Sequence, residues 1–169
     1  LLRLGQAYFF SGDLERAADF IERALDIGED LQLVEQLVRG WSAKAMIISL
    51  RHPEEARGLF QLALETSVRI ESLSNAAVTA INLSDLALQR DRYEESLSYL
   101  EQAIELARRI GTRPNEWFAL SEMTYALTML GRWEEALVRL AEVPEQQFGG
   151  LSNLMGPASG ILELYLHRG

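Results

Sequence analysis

Arg132-Trp133-Glu134-Glu135-Ala136 decides the fold, because the chain writes it four times. Its counterparts are Asp13-Leu14-Glu15-Arg16-Ala17, Pro53-Glu54-Glu55-Ala56 and Arg92-Tyr93-Glu94-Glu95-Ser96. The small residues that close them, Ala17, Ala56, Ser96 and Ala136, stand 39, 40 and 40 residues apart. So regular an interval marks a repeating supersecondary unit. Four and seven residues after each small one come Ile21 and Ala24, Phe60 and Ala63, Leu100 and Ala103, Leu140 and Val143. Those offsets lie on one face of a helix. A stripe that runs small, large, small admits a second helix at close range, and the large residue fills the gap between them.

That second helix comes just before. Leu1, Leu4, Gly5 and Tyr8 share a face, as do Ala80, Leu83, Ser84 and Ala87, and Leu120, Met123, Thr124 and Leu127. The second copy reads more loosely as Gly40, Ala43, Lys44 and Ile47. Short turns join the two helices, with Gly12 and Gly131 suited to left-handed helix ends and Pro53 to a first helical position. The acidic pairs Glu54-Glu55, Glu94-Glu95 and Glu134-Glu135 fall in the first turn of the following helix and complement its dipole. Their recurrence at one structural position argues against acid/base catalysis, which needs two carboxyls in unequal surroundings. The pattern predicts helices over 1–11, 13–28, 31–50, 53–72, 75–89, 92–110, 114–130 and 133–142. After Pro144 it breaks at Gly149-Gly150, and a last apolar helix runs near 157–166. The units span about 1–29, 30–72, 73–112 and 113–147, with a truncated fifth at 148–169, in one solenoid. Residue 1 already lies inside the periodic pattern, so the chain reads as a piece of a longer protein.

Leu1-x-x-Leu4-Gly5-x-x-Tyr8, followed by Ala17-x-x-x-Ile21, resembles the tetratricopeptide repeat (TPR). That signature runs bulky residue, Leu-Gly, Tyr, Ala, then Phe. The resemblance covers nearly the whole chain, with departures. Lys44 stands where the family has a small residue, Gly40 where it has a bulky one, and Val143 where the last small one falls. The proline that closes the repeat is missing, and the period is about 40 rather than 34 residues. The longer period and segments such as Ala107-Arg108-Arg109-Ile110-Gly111 are similar to TPR proteins of large bacterial signalling and transcriptional regulators. There the repeats follow an ATPase or cyclase module. The resemblance implies an all-α fold, αα-hairpins stacked into a right-handed superhelical solenoid with a concave and a convex face.

The composition agrees. The 169 residues are 48% hydrophobic and 24% charged, values of a folded chain rather than a disordered one. There is no cysteine, which excludes disulfides, thiolate nucleophiles and cysteine-bound zinc and fits a cytoplasmic location. His52 and His167 are too few for a multi-histidine metal site, and His52 before Pro53 reads as a helix start. The longest apolar runs, such as Ala45 to Leu50, are too short to cross a bilayer. No Walker loop is present, since Gly149-Gly150 lacks the following Lys-Ser/Thr. No cofactor is expected, and the role is read as non-enzymatic. A net charge of -9 disfavours nucleic acid and anionic membranes as partners. The local cluster Arg108, Arg109 and Arg113 fits a helix end, where the macrodipole favours cations, better than a phosphate site.

In the resembling fold the first helix of each hairpin lines the concave groove. The groove candidates are Gln6 and Phe9, then Trp41, Ala45 and Ile48, then Asn82, Asp85 and Gln89, then Glu122 and Tyr125, with Glu163 joining from the last half unit. Trp41 and Tyr125 are aromatics of the kind enriched in binding hot spots. Trp41 is equally placed to be core, filling the space left by Gly40, because periodicity does not separate two adjacent faces. The family's carboxylate clamp binds acidic peptide tails through groove lysines and arginines. Here the positions are acidic or neutral, with Asn82 the one reminder of the clamp. The expected partner is therefore a protein or peptide of apolar or basic character. Two functions follow: a scaffold that holds a partner segment, or a ligand- or partner-sensing segment of a larger regulator. The apolar end at Ile161, Leu162, Leu164, Tyr165 and Leu166 is uncapped, so the chain should self-associate through its ends. Light scattering over a concentration series should show rising mass; a strict monomer at high concentration would contradict this.

Overall fold

The computed structural model describes residues 1–144, so the last helix expected near 157–166, its apolar face and Glu163 lie outside the described residues. Among the described residues run eight helices and no strand. They are α1 (Leu2–Phe10), α2 (Leu14–Asp30), α3 (Val34–Ile48), α4 (Pro53–Arg69), α5 (Leu73–Leu88), α6 (Tyr93–Ile110), α7 (Arg113–Met129) and α8 (Trp133–Leu140). Consecutive helices pack as hairpins, and the second helix of each hairpin also packs on the first helix of the next. First helices of successive hairpins touch one another, α1 with α3, α3 with α5 and α5 with α7, whereas second helices meet no more than marginally. A stack that is tighter on one side must curve toward it. The first helices therefore line the inner face of a right-handed superhelical solenoid, and the second helices form its outer face.

Six of the seven turns close in one way. Gly12, Gln32, Glu71, Asp91, Gly111 and Gly131 take φ between 52° and 83°. The next residue then returns its N–H to a carbonyl five positions back: Asp13 to Tyr8, Leu33 to Gly28, Ser72 to Ser67, Arg92 to Ala87, Thr112 to Ala107 and Arg132 to Leu127. This closure satisfies carbonyls that the helix end leaves orphaned. Gln32, Glu71 and Asp91 hold it despite a left-handed strain of about 1 kcal/mol each.

The turn between α3 and α4 is the exception. No residue of 49–52 has positive φ, and the His52 N–H reaches Ile48, only four positions back. This hairpin is one residue short. Gly5, Ser84 and Thr124 stand twelve residues before Ala17, Ser96 and Ala136, and all six are buried; the buried residue before Ala56 is Ala45, only eleven away. The sequence pattern placed Lys44 at that crossing, and the structure corrects it to Ala45. Lys44 sits on the flank of α3 instead, its Nζ 2.8 Å from the Glu22 carboxylate on α2.

The crossings are close because their residues are small. A Cβ on Gly5 would stand 2.6 Å from Ile21 Cγ1 and 3.2 Å from the Ala17 carbonyl oxygen. The hydroxyls of Ser84 and Ser96 meet at 2.8 Å in a buried hydrogen bond. Ile21, Phe60 and Leu100 fill the space beyond each crossing and are all but inaccessible. Ala24 and Leu140 are only half-buried, and Leu25 takes the inward place beside Ala24. The space over Gly40 is filled by Leu25, whose Cδ2 would lie 2.5 Å from an added Cβ, and not by Trp41. The acidic pairs at helix starts also bridge neighbouring hairpins: Arg92 reaches back to Glu54, Arg132 to Glu94, and Arg57 forward to Glu95 at 2.8 Å. At the first hairpin Leu1, Leu4 and Phe10 are exposed, Phe10 by 78%.

The register of α3 is open to a direct comparison of two substitutions. Lys44→Ala should cost about 0.5 kcal/mol, the worth of one exposed ion pair. Ala45→Lys should cost about 3 kcal/mol or more, because it buries an unpaired ammonium. Urea unfolding midpoints measure both, and the reverse order would restore Lys44 to the crossing.

Candidate functional site

The inner face carries a hollow of about 240 Å³ near the C-terminal ends of the first helices. Phe9 of α1, Met46 and Ser49 of α3, and Asn82, Asp85 and Gln89 of α5 line it, with Phe60 and Leu86 behind them. Four of the groove candidates, Phe9, Asn82, Asp85 and Gln89, thus come together around one space. Gln6 on α1 is half-buried and does not line the hollow. Tyr125 on α7 is half-buried too, its ring edge-on to Tyr93 at 6.5 Å between centroids. The Tyr93 hydroxyl donates to Asp91 at 2.6 Å, a bond that pushes its pKa up to about 12.

The α3 candidates require correction. Ala45 has no accessible surface and belongs to the main core. Ile48 is half-buried against the same core, and Trp41 packs on the cluster of Ile21, Leu25 and Ala43 toward α2. The residues in their place are each one position later. Ser42 bonds Thr79 of α5 at 3.2 Å, and Met46 and Ser49 line the hollow. The short turn explains all three shifts. One residue fewer turns α3 by about 100° against its expected phase.

The hollow has apolar walls at Phe9, Met46, Phe60 and Leu86 and one acidic lining residue, Asp85. Glu122 on α7 is half-buried, and burial together with the charge of Asp85 pushes its pKa up to about 7. Asp85 is exposed along the groove, and the surrounding wall still removes enough water from its carboxyl to raise its pKa. The side chains of Asn82, Asp85, Gln89 and Glu122 make no hydrogen bond or ion pair to any other described residue. A larger hollow, about 390 Å³, lies near the opposite ends of the hairpins beside Leu1, Ala24 and Arg39 and holds none of the candidates. Among the described residues no three His, Asp or Glu converge to hold a metal, and no helix is long and apolar enough to cross a membrane.

Two of the three clustered arginines, Arg108 and Arg113, are engaged in ion pairs. Arg108 Nε donates to Glu116 at 2.7 Å, and its other arm reaches Glu142 at 2.7 Å. Arg113 donates to the second oxygen of Glu116 at 2.7 Å. Glu116 is 4% exposed, its carboxyl covered largely by the two guanidinium groups. Burial alone would raise its pKa, but the hydrogen bonds from Arg108 and Arg113 outweigh it and hold the carboxyl below the ordinary range. The cluster ties α6, α7 and the end of α8 together. Sequence reading missed Glu116, although its place three residues after Arg113 was a usable signal.

Tetratricopeptide repeat models match residues 1–30, 42–109 and 75–143. The chain belongs to the tetratricopeptide repeat family. No curated protein matches it. Among solved structures it is similar to BtubC (BKLC) from P. vanneervenii, at 22% identity and a TM-score of 0.72 over 82% of this chain and 58% of that one. It is also similar to a signal transduction ATPase with numerous domains (STAND) from Pyrococcus horikoshii that carries a tetratricopeptide repeat sensor. That match has 20% identity and a TM-score of 0.68, and spans 80% of this chain but 21% of the other. A Podospora anserina kinesin light chain with nearly identical TPR-like repeats matches at 17% identity and a TM-score of 0.66, over 88% and 74% of the two chains. At these identities the likeness is one of fold.

Glu116→Ala should destabilise the chain by about 2 kcal/mol, since it removes two charge-assisted contacts around a covered carboxylate. The folded pKa lies below the unfolded one. The stabilisation is therefore fully present above the ordinary carboxyl value near 4.5 and is lost as pH falls through the lower folded value. Unfolding midpoints of both proteins across that range should converge toward acid pH; a constant gap would show that the pairs contribute nothing.

Proposed function

We propose that the chain is a protein-binding module that holds a segment of a partner against its inner face, by contacts and not by covalent chemistry. One observation carries the reading. Asn82, Asp85 and Gln89 present uncommitted polar groups in a hollow with apolar walls, and Glu122 stands on the next first helix, on the concave side of a repeat fold whose family binds proteins and peptides. Asn82 and Glu122 are half-buried and Asp85 and Gln89 exposed, so all four can reach a ligand laid in the groove. The acidic character of this face favours a partner segment that is apolar or basic and disfavours an acidic tail.

A second reading, a sensing segment within a larger regulator, is favoured by the fold likeness to the STAND protein with its tetratricopeptide repeat sensor. The two readings share the same surface and differ in what the occupied groove controls.

Amide and methyl NMR spectra of the labelled chain, titrated with a basic amphipathic peptide and with its acidic counterpart, test the surface. The basic peptide should perturb Met46, Asn82, Asp85 and Gln89, and Asn82→Ala should weaken it about fivefold, the worth of one hydrogen bond. Preference for the acidic peptide, or shifts confined to α2, α4 and α6, would refute the proposal.

A further inference from the structure

We propose that the inner face reads a two-part signal: an apolar side chain enters the hollow over Phe60, and a lysine or arginine of the same segment lies across Asp85 and Glu122, displacing a proton. The inference rests on the inner-face reading and specifies its ligand and its regulation.

The geometry supplies both halves. Phe9, Met46 and Leu86 give the hollow apolar walls, and its volume of about 240 Å³ suits one or two side chains rather than a folded surface. Asp85 and Glu122 stand on neighbouring first helices, α5 and α7, so they face one groove within electrostatic reach of each other. No described arginine, lysine or histidine pairs with either. By contrast, Glu22, Glu95, Glu116 and Glu142 each hold a cation. Two carboxyls left together without a cation repel, and one answers by keeping its proton. That is the state of Glu122, whose pKa of about 7 comes from burial first and from Asp85 second.

The groups packed around Glu122 leave this balance to the pair. From α5 comes Asp85. On α6 and α8, Glu95 pairs with Arg57 and Arg92, Arg108 with Glu116 and Glu142, Arg139 with Glu142, and Glu94 and Glu135 with Arg132, while Glu101, Glu105, Arg109 and Glu134 make no ion pair with any described residue, Glu122 included. Tyr125, on α7 itself, faces Tyr93. A cation from outside is therefore the missing partner. A divalent metal is a poorer candidate, because no third His, Asp or Glu converges here among the described residues. An ammonium or guanidinium needs only the two carboxylates for charge-assisted bonds. It stabilises the ionised pair, so binding releases the proton of Glu122, and affinity rises as pH rises through about 7.

The test is a selection of displayed random peptides on the full chain, then calorimetry with the peptides recovered. They should carry Lys or Arg close to Leu, Met or Phe. Replacing that Lys with norleucine should weaken binding tenfold or more. The double variant Asp85→Asn, Glu122→Gln should bind the Lys and norleucine forms alike while keeping its helical spectrum. Wild-type affinity should be about tenfold weaker at pH 6 than at pH 8, as expected for one group titrating near 7, and the heat should vary with the buffer as a proton is released. Peptides that lose binding on Met46→Arg yet ignore the norleucine change and the pH would overturn this inference and leave the inner-face reading standing. Peptides indifferent to Met46→Arg, or a selection that recovers none, would overturn both.

Discussion

Each hairpin depends on one contact: two helices crossing where both carry a residue of almost no bulk. Gly5 over Ala17, Ser84 bonded to Ser96, and the buried Ala45 with Ala56 and Thr124 with Ala136 occupy equivalent places in the four units. A large side chain at any of them would wedge the helices apart, because packed interiors have no room to absorb it. The stripe beyond the crossing, Ile21, Phe60 and Leu100, then fixes the angle by filling what the crossing leaves open. No hairpin can cover its own apolar side, so each leans on the next, and the sum is a stack whose stability is shared between neighbours.

The inner face is a consequence of that stack. First helices approach one another more closely than second helices do, so curvature and groove arise together. The groove gathers side chains from α1, α3 and α5 that are far apart in sequence, and sets Glu122 of α7 beside Asp85. The chemistry of the surface is thus decided by the phase of each first helix. A rotation of one residue exchanges a core position for a lining one.

That sensitivity explains what could be read from the sequence. The period of 39 to 40 residues, the two-helix unit, the turns and the acidic helix starts were legible because they repeat four times and each repetition corroborates the others. Asn82, Asp85, Gln89 and Phe9 could be gathered on one side from the sequence because their helices keep the common twelve-residue spacing to the next crossing, and they do line one hollow. Ala45 and Ile48 were misplaced, and Trp41 was left open between groove and core, for one reason. Lys44 is flanked by Ala43 and Ala45, so two phases of α3 offer a small residue, and the missing residue in the turn after it shows only once the backbone is seen. Gly40 misled in the same way: its emptiness is taken by Leu25 from α2, a contact that no local pattern reports. Glu116, a buried carboxylate held by two arginines, was hidden because a charged residue in a helix's first turn ordinarily faces water.

Cysteine pairs measure the shared crossing most directly, since the chain has no cysteine of its own. Ser84→Cys with Ser96→Cys, and Ala45→Cys with Ala56→Cys, should each form a disulfide on mild oxidation of the folded protein, because small residues at a crossing bring the α-carbons within about 4–7 Å. Lys44→Cys with Ala56→Cys should not. Bridging through position 44 in place of 45, or no bridging between 84 and 96, would contradict the account.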